Sequence, residues 1–583
     1  MADETRRDPA RPAVPPWGPA PAPPGWRAER ATAEPLPDPP ATLPEAGPDE
    51  VVLLIDNRPA VVKKGTTVLQ AAAEIGVPIP HYCYHPGLSV AGNCRMCLVE
   101  IEKMPKLQIG CATTVAPGMV VRTRTERVRQ TRQGIQEFLL INHPLDCPIC
   151  DQAGECRLQQ YENDYGRGRS RFEEEKVHFP KRAPIGRNVV FDAERCIKCT
   201  RCIRFTDEVS RTHELTLVQR GDHAIVGTFP GRPLDNAYSG CTVDICPVGA
   251  LTWKPARFRT RVWYLKNVPS VCAGCARGCN VDVAVFRDRI QRMTPRVNME
   301  VNAYWMCDAG RMSFAPFLDR PRLETALVRP AAGAAAPGPG DRPRPADRGA
   351  AIARAAELLR AAAGAAGGNA LAAIVSARLT VEDLWMAKRA LLGAAGIPRL
   401  ALPPHEDGQD DDLLIRRDRT PNARGAAALG LGAPSAARVG EILDDVRSGR
   451  VKGLLVAGED LLEGGALAPA DLARLEALVV VDWWRSPTAE ASHVALPACG
   501  YGEYEGTFVN CTGRAQRARA AVRPGGEADP AWRIFAEIGR AFGMPGDFAS
   551  GSEVFDEVAA SVPAFGGLSY RALGDAGAPI RET

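Results

Sequence analysis

Apolar and polar positions alternate from Val51, with Val51, Leu53 and Ile55 on one face, an Asp56-Asn57 turn, and Val61-Val62 beyond it. A period of two on either side of such a turn predicts a β-hairpin. Residues 67–75, opening on Thr67 and stopping at Gly76, carry the start and stop signals of a capped helix. A hairpin and helix of this size suit a small ferredoxin-type α+β domain. Far downstream, apolar runs at Leu371–Val375, 454–457 and 478–481 alternate with helical patterns at 381–392, 441–446 and 470–475. Strand and helix in alternation predict a parallel α/β layer.

Two stretches lack either period. Residues 1–48 are rich in Pro, Ala and Arg and cannot offset chain entropy by burial, so disorder is expected there. Residues 329–349 carry Pro-Ala-Ala-Gly, Pro-Gly-Pro-Gly and Pro-Arg-Pro and are expected to be a linker marking the main domain boundary. The 583 residues are ample for three or more domains. The partition expected is a leader at 1–48, domains at 49–125, 126–184, 185–265 and 266–328, the linker, and an α/β domain at 350–583.

Charge excludes more than it suggests. The formal net charge is only +3, so nucleic-acid binding has no support, and the basic run 122–132 is expected to be a solvated helix face or a subunit contact. No stretch has the length of apolar residues a membrane helix needs, and Arg6-Arg7 is followed by no signal-peptide core. A cytosolic chain with no direct membrane span is the expectation. In that reducing compartment dense cysteine points to metal binding rather than disulfides.

Fifteen of the eighteen cysteines, with His143, fall into four consecutive sets. They are Cys83, Cys94, Cys97 and Cys111; His143, Cys147, Cys150 and Cys156; Cys196, Cys199, Cys202 and Cys246; and Cys272, Cys275, Cys279 and Cys307. Each has the spacing of an iron–sulfur cluster, and soft anionic thiolate suits such cores. Three cysteines at two-residue intervals plus a remote Cys246-Pro247 argue for [4Fe–4S] in the third set. The long gap before Cys111 and the Gly92-Asn93-Cys94 loop argue for two cysteines on each iron of [2Fe–2S] in the first. Structural zinc is the alternative for the third and fourth sets, although zinc usually takes two separated pairs. A lone histidine is more often a turn or core residue, but His143 stands just before a set otherwise one ligand short. Imidazole in place of thiolate should raise that centre's potential. Cys241, Cys499 and Cys511 have no spaced partners and are expected to be small apolar residues.

The stretches 92–100 (GNCRMCLVE), 142–156 (NHPLDCPICDQAGEC), 195–205 (RCIKCTRCIRF) and 244–252 (DICPVGALT) resemble the large iron–sulfur subunit of respiratory complex I, the bacterial NADH:quinone oxidoreductase. Downstream, 453–460 (GLLVAGED) and 496–516 (LPACGYGEYEGTFVNCTGRAQ) look more loosely like its molybdopterin-oxidoreductase-like domain. The resemblance implies a multidomain α+β and α/β protein: an N-terminal [2Fe–2S] ferredoxin-like β-grasp domain, [4Fe–4S] ferredoxin-type modules, and a shortened C-terminal α/β domain without molybdenum. It implies [2Fe–2S] on the first set and [4Fe–4S] on the other three, the fourth lying off the main path. It implies a subunit of an oxidoreductase and translocase complex that performs no substrate chemistry and has no catalytic residue. Electrons would come from NADH through a flavin (FMN) on a partner subunit and pass toward quinone-proximal iron–sulfur subunits. The complex would be peripheral, on the cytoplasmic side of the cell membrane.

Two relatives share these modules. Iron-only hydrogenases and related diaphorase chains would need cysteines at Thr206, Asn236, Ser239 and Thr242, where this chain has none. NAD-linked formate dehydrogenases carry a larger molybdenum domain, and no metal-ligating cysteine stands out after Cys307. An iron–sulfur subunit of a soluble formate dehydrogenase or hydrogenase complex remains the alternative, and a zinc-stabilised scaffold a third class. NADH binding by this chain lacks a motif, since Gly430-Leu431-Gly432 is followed by no third glycine in place.

Overall fold

The computed structural model describes residues 36–330, 342–366 and 368–582. Most of the expected leader and the centre of the expected linker therefore lie outside the described residues, while 36–48 form only turns and irregular backbone. The chain divides into two compact units, Met1–Tyr264 and Leu265–Thr583.

In the first unit, strands Glu50–Ile55 and Arg58–Lys63 pair antiparallel. Asp56 and Asn57 both take positive φ, 48° and 64°, the backbone twist that a two-residue hairpin requires. Helix Val68–Glu74 is closed by a capping box in which Thr67 and Gln70 satisfy each other's free backbone N–H groups. Strands Leu98–Ile101, Gln108–Ile109 and Val120–Arg122 complete a five-stranded sheet, with Val120–Arg122 parallel to the first strand and central. Cys97 and Cys111 belong to the apolar core that this sheet and helix enclose.

Helices Glu126–Leu140 and Arg157–Tyr165 follow. The basic run was expected to be solvated, and Arg129, paired with Glu126, fits that expectation. Arg132 departs from it. Its side chain is buried, with the guanidinium 5.4 Å from the Tyr165 ring centroid, so the face turned toward the second helix is apolar and aromatic. Farther on, Val189–Phe191 pairs antiparallel with Leu251–Trp253. Helix Arg201–Arg204 runs into a wider turn, Phe205–Val209, of π-helical geometry.

The second unit opens on an antiparallel sheet of Lys266–Val271, Asn280–Phe286 and Arg289–Pro295. A seven-stranded sheet follows in the order Arg344–Pro345, Leu327–Val328, Val494–Pro497, Ala477–Asp482, Gly453–Ala457, Leu371–Val375, Arg399–Ala401. The last five are parallel. Ala373, Val375, Leu455, Ala457, Val479 and Val481 face one core, and Ala372, Ile374, Leu454, Val456, Leu478 and Val480 face another. A sheet covered on both faces explains why these strands read as unbroken apolar runs.

The principal division falls at Tyr264 and Leu265, not in the Pro/Gly-rich stretch. Leu327–Val328 and Arg344–Pro345, which flank that stretch, pair with each other, and the first also pairs with Val494–Pro497. The strands on either side of the Pro-rich stretch thus belong to one sheet, and the fourth cysteine set shares a compact unit with the α/β layer.

Candidate metal centres

The first set is built where the sheet core meets an irregular loop. Cys83 stands in side-chain contact with Cys94 and Cys111, and Cys97 with Cys111. The backbone N–H of Cys83 points at Cys94 Sγ, 3.5 Å away. Gly92 and Arg95 both take a φ of 62°, which turns the backbone around the Cys94–Cys97 pair.

His143, Cys147, Cys150 and Cys156 line one hollow together with Asp146, Ala153, Gln159, Arg195 and Gly249. The structure thus brings the histidine to the set that its sequence position suggested. Burial first, then Arg195 and Lys176, lowers its pKa to about 4, which keeps the imidazole in the neutral form that ligates metals.

Cys196, Cys199, Cys202 and Cys246 line a hollow walled by Phe191, Ile197, Val226, Val248 and Leu251. Lys198 and Thr200 adopt left-handed backbone, φ 54° and 62°, strain of the kind that persists where a loop must wrap a ligand. Lys198 N–H lies 3.4 Å from Cys196 Sγ. Burial, then the neighbouring thiols, pushes Cys196 up to about 12, and burial likewise raises Cys246 to about 12.

Cys272, Cys275, Cys279 and Cys307 line a fourth hollow, in the second unit, with Met306, Gly310, Leu414 and Arg419. Gly274 N–H and Gly310 N–H point at Cys272 Sγ and Cys307 Sγ, at 3.4 and 3.3 Å. The loop bearing the first three cysteines is held from downstream. Ala276 N–H donates to Asp418 O at 2.9 Å, Cys511 N–H to Ala276 O at 2.7 Å, and Tyr501 Oη to Val271 O at 3.0 Å. Gln516 binds Gly278 O at 2.8 Å and accepts from Asn280 Nδ2 at 2.7 Å.

These hollows fit iron–sulfur clusters. Among the described residues no three His, Cys, Asp or Glu side chains stand at the spacing of one ion's ligands, and the last three sets instead surround open hollows. Glycine backs them closely: a Cβ at Gly310 would lie 3.1 Å from Cys272 Sγ and 3.3 Å from Cys307 Sγ. Thiols held this far above their ordinary pKa ionise only beside compensating positive charge, which iron would supply.

Side chains also tie the sets of the first unit together. Arg201, between Cys199 and Cys202, donates to Ile245 O at 3.0 Å and to Tyr84 O, reaching the residues beside Cys246 and Cys83. Arg157 N–H, next to Cys156, donates to Pro247 O at 2.9 Å, next to Cys246. Tyr82 is fully buried and donates to Gln136 Oε1 at 2.5 Å. Burial, then Tyr161 and the thiols of Cys156 and Cys94, raises its pKa well above the ordinary phenol value. None of these residues stands out by spacing. The available signal was an arginine inside a Cys-x2-Cys-x2-Cys run, where solvent exposure would be expected.

Thr206 and Thr242 are buried and donate their hydroxyls to Ile203 O and Ser239 O at 2.8 and 2.7 Å, while Asn236 Nδ2 donates to Glu214. Ser239 is buried as well, so three of the four positions are polar groups in the interior. Cys241 and Cys499 are buried, Cys499 near the charged groups of Glu503, Asp529 and Arg322, whereas Cys511 is half-exposed.

Fold and ligand sets define a modular iron–sulfur protein. Family profiles match a 2Fe-2S iron-sulfur cluster binding domain at 49–126 and the NADH-ubiquinone oxidoreductase-G iron-sulfur binding region at 132–171. The ferredoxin-like domain of NADH-quinone oxidoreductase subunit 3 matches at 186–252. A molybdopterin oxidoreductase Fe4S4 domain matches at 265–315 and molybdopterin oxidoreductase at 348–541. The chain is 46% identical over 277 residues to the NADH-quinone oxidoreductase G-type subunit of Rickettsia conorii, covering 47% of this chain and 41% of that protein. It is 42% identical over 339 residues to the same subunit of Streptomyces coelicolor, covering 58% and 39%. It is 42% identical over 320 residues to the mitochondrial NADH dehydrogenase [ubiquinone] iron-sulfur protein 1 of Solanum tuberosum, covering 52% and 43%. Over the matched residues the chain is thus similar to these NADH-quinone oxidoreductase subunits, and it spans about two-fifths of their length. The expected [2Fe–2S] ferredoxin-like domain, [4Fe–4S] modules and molybdopterin-oxidoreductase-like α/β domain are borne out by these matches and by the mixed sheets.

Proposed function

We propose that this chain is an electron-relay subunit of an NADH:quinone oxidoreductase, holding [2Fe–2S] on Cys83, Cys94, Cys97 and Cys111 and [4Fe–4S] on each of the other three sets. The observation that carries the reading is the gathering of sixteen sequence-spaced ligands into four groups, the first by side-chain contact and the other three each around one hollow. Clusters held there would take up and release single electrons with little bonding change. The chain's own contribution is to fix the ligands, exclude water and hold backbone N–H groups against sulfur.

NADH and FMN belong on a partner subunit in this reading. Leu145 and Ile149, 90% and 52% exposed, stand on the loop around the exposed Cys147. A quinone-proximal iron–sulfur subunit would dock its own centre there, since apolar side chains left in water next to a redox site favour a protein neighbour. The complex would be peripheral to the cytoplasmic face of the membrane, and among the described residues no helix is long and apolar enough to cross one.

The test is reduction by NADH with and without the flavin-bearing partner, followed by EPR. The relay reading expects NADH to reduce centres in this chain only when that partner is present. Reduction by NADH of the chain alone, or molybdenum bound in stoichiometric amount, would favour the soluble-dehydrogenase alternative.

A further inference from the structure

One guanidinium joins ligands of two different sets. Arg204 Nη2 donates to Cys83 O at 2.5 Å and lies 3.4 Å from Cys199 O, while Nη1 donates to Ser89 O and Nε to Thr200 Oγ1 at 3.3 Å. Every arm of the fork is used, and each partner lies on a loop that carries, or adjoins, a cysteine of the first or third set. Glu208 holds the same junction from the other side, accepting from Ser89 N at 2.8 Å and from Ser89 Oγ at 2.5 Å.

We propose that Arg204 is a positioning residue for electron transfer between the first and third centres, fixing the Cys83 and Cys199 loops at one separation and joining them by hydrogen bonds. This rests on the reading that both sets hold clusters. The connection runs from Cys83 through its carbonyl to the Nη2 group and on to the carbonyl of Cys199, with no bond made or broken at the guanidinium. One electron lost by the first centre is gained by the third, and the proton stays on nitrogen because arginine does not deprotonate in this range. The single Nη2 group makes both carbonyl contacts while Nη1 and Nε fix the plane of the fork from Ser89 and Thr200, an anchoring that an ammonium on a flexible stem lacks. The positive charge has a second consequence. Placed between two anionic centres it favours the reduced, more negative state of each.

Arg204→Lys and Arg204→Gln in the full chain, loaded with iron and sulfide anaerobically, separate these effects. After rapid one-electron reduction, freeze-quench EPR reads the redistribution of the electron between the two centres. The Lys variant is expected to keep both EPR signals and both midpoint potentials while redistribution slows severalfold. The Gln variant is expected to slow it as well and to lower both potentials. Redistribution at the native rate in both variants, with both signals intact, would overturn the proposal. Should neither variant load its centres, Glu208→Ala, which releases Ser89 on the other side of the same junction, replaces them: slowed redistribution with both signals kept supports the bridge, and redistribution at the native rate overturns it. A native chain that takes up no iron would defeat the relay reading itself, and the bridge with it.

Discussion

Gly249 faces Cys150 so closely that a Cβ at this position would stand 2.2 Å from Cys150 Sγ and 3.1 Å from Gln152 Cβ. Relief requires the Cys150 side chain to rotate, which carries its thiol away from the hollow shared with His143. Gly249→Ala is therefore expected to remove the second centre while sparing the other three. Iron analysis should show a loss of about four irons per chain, and EPR should lose one signal. A full complement in the variant would mean that the Cys150 side chain is free to move.

Substituting His143 by cysteine tests the role given to imidazole. A fourth thiolate adds negative charge and stabilises the oxidised centre, so the midpoint potential of that centre should fall. The measurement is a redox titration followed by EPR. A potential that stays the same or rises, with the cluster retained, would show that charge on the ligand is not what sets it.

Gln516 lies more than two hundred residues from the loop it holds, yet it satisfies Gly278 O and Asn280 on either side of Cys279. Gln516→Ala leaves two buried partners unpaired, at a cost of about 2 to 4 kcal/mol. The loss should fall on the fourth centre alone, seen as selective bleaching of its EPR signal on mild warming. Equal loss from all four centres would place the damage elsewhere.

His493 accepts the Leu478 N–H at Nδ1, 2.9 Å away, and burial, then Arg329 and Arg354, lowers its pKa to about 4. The unfolded imidazole titrates near 6.5. Between those values the unfolded chain binds a proton that the folded one does not, so this contribution is complete above pH 6.5 and is lost as pH falls toward 4. After allowance for partial exposure the loss is about 1 to 2 kcal/mol. Thermal unfolding of His493→Gln, which keeps an uncharged acceptor, should show a smaller drop between pH 7 and pH 4.5 than the native chain. An equal drop would assign the acid sensitivity to other groups.

Spacing made the ligands legible because cluster loops are local: Cys196, Cys199 and Cys202 wrap one corner of a hollow whatever lies around them. Local signals also sufficed for the first hairpin, its Asp56-Asn57 turn and the Thr67 cap. What spacing could not show is anything set by contacts between distant segments. Gly249 sits in the third ferredoxin-type segment in sequence but walls the second hollow. Arg201 and Arg204 look like solvent-facing charges and instead cross to the Cys83 loop. The Pro-rich stretch after Val328 was expected to separate domains, because composition records local stiffness and says nothing of strand pairing on either side of it.

The central claim is that four ligand sets hold iron–sulfur clusters, and metal and acid-labile sulfide analysis of the anaerobically purified full chain tests it most directly. The predicted result is about fourteen irons per chain, with zinc and molybdenum below stoichiometry and EPR signals from one two-iron and three four-iron centres on reduction. Zinc bound in place of iron, with no EPR signal after reduction, would contradict it.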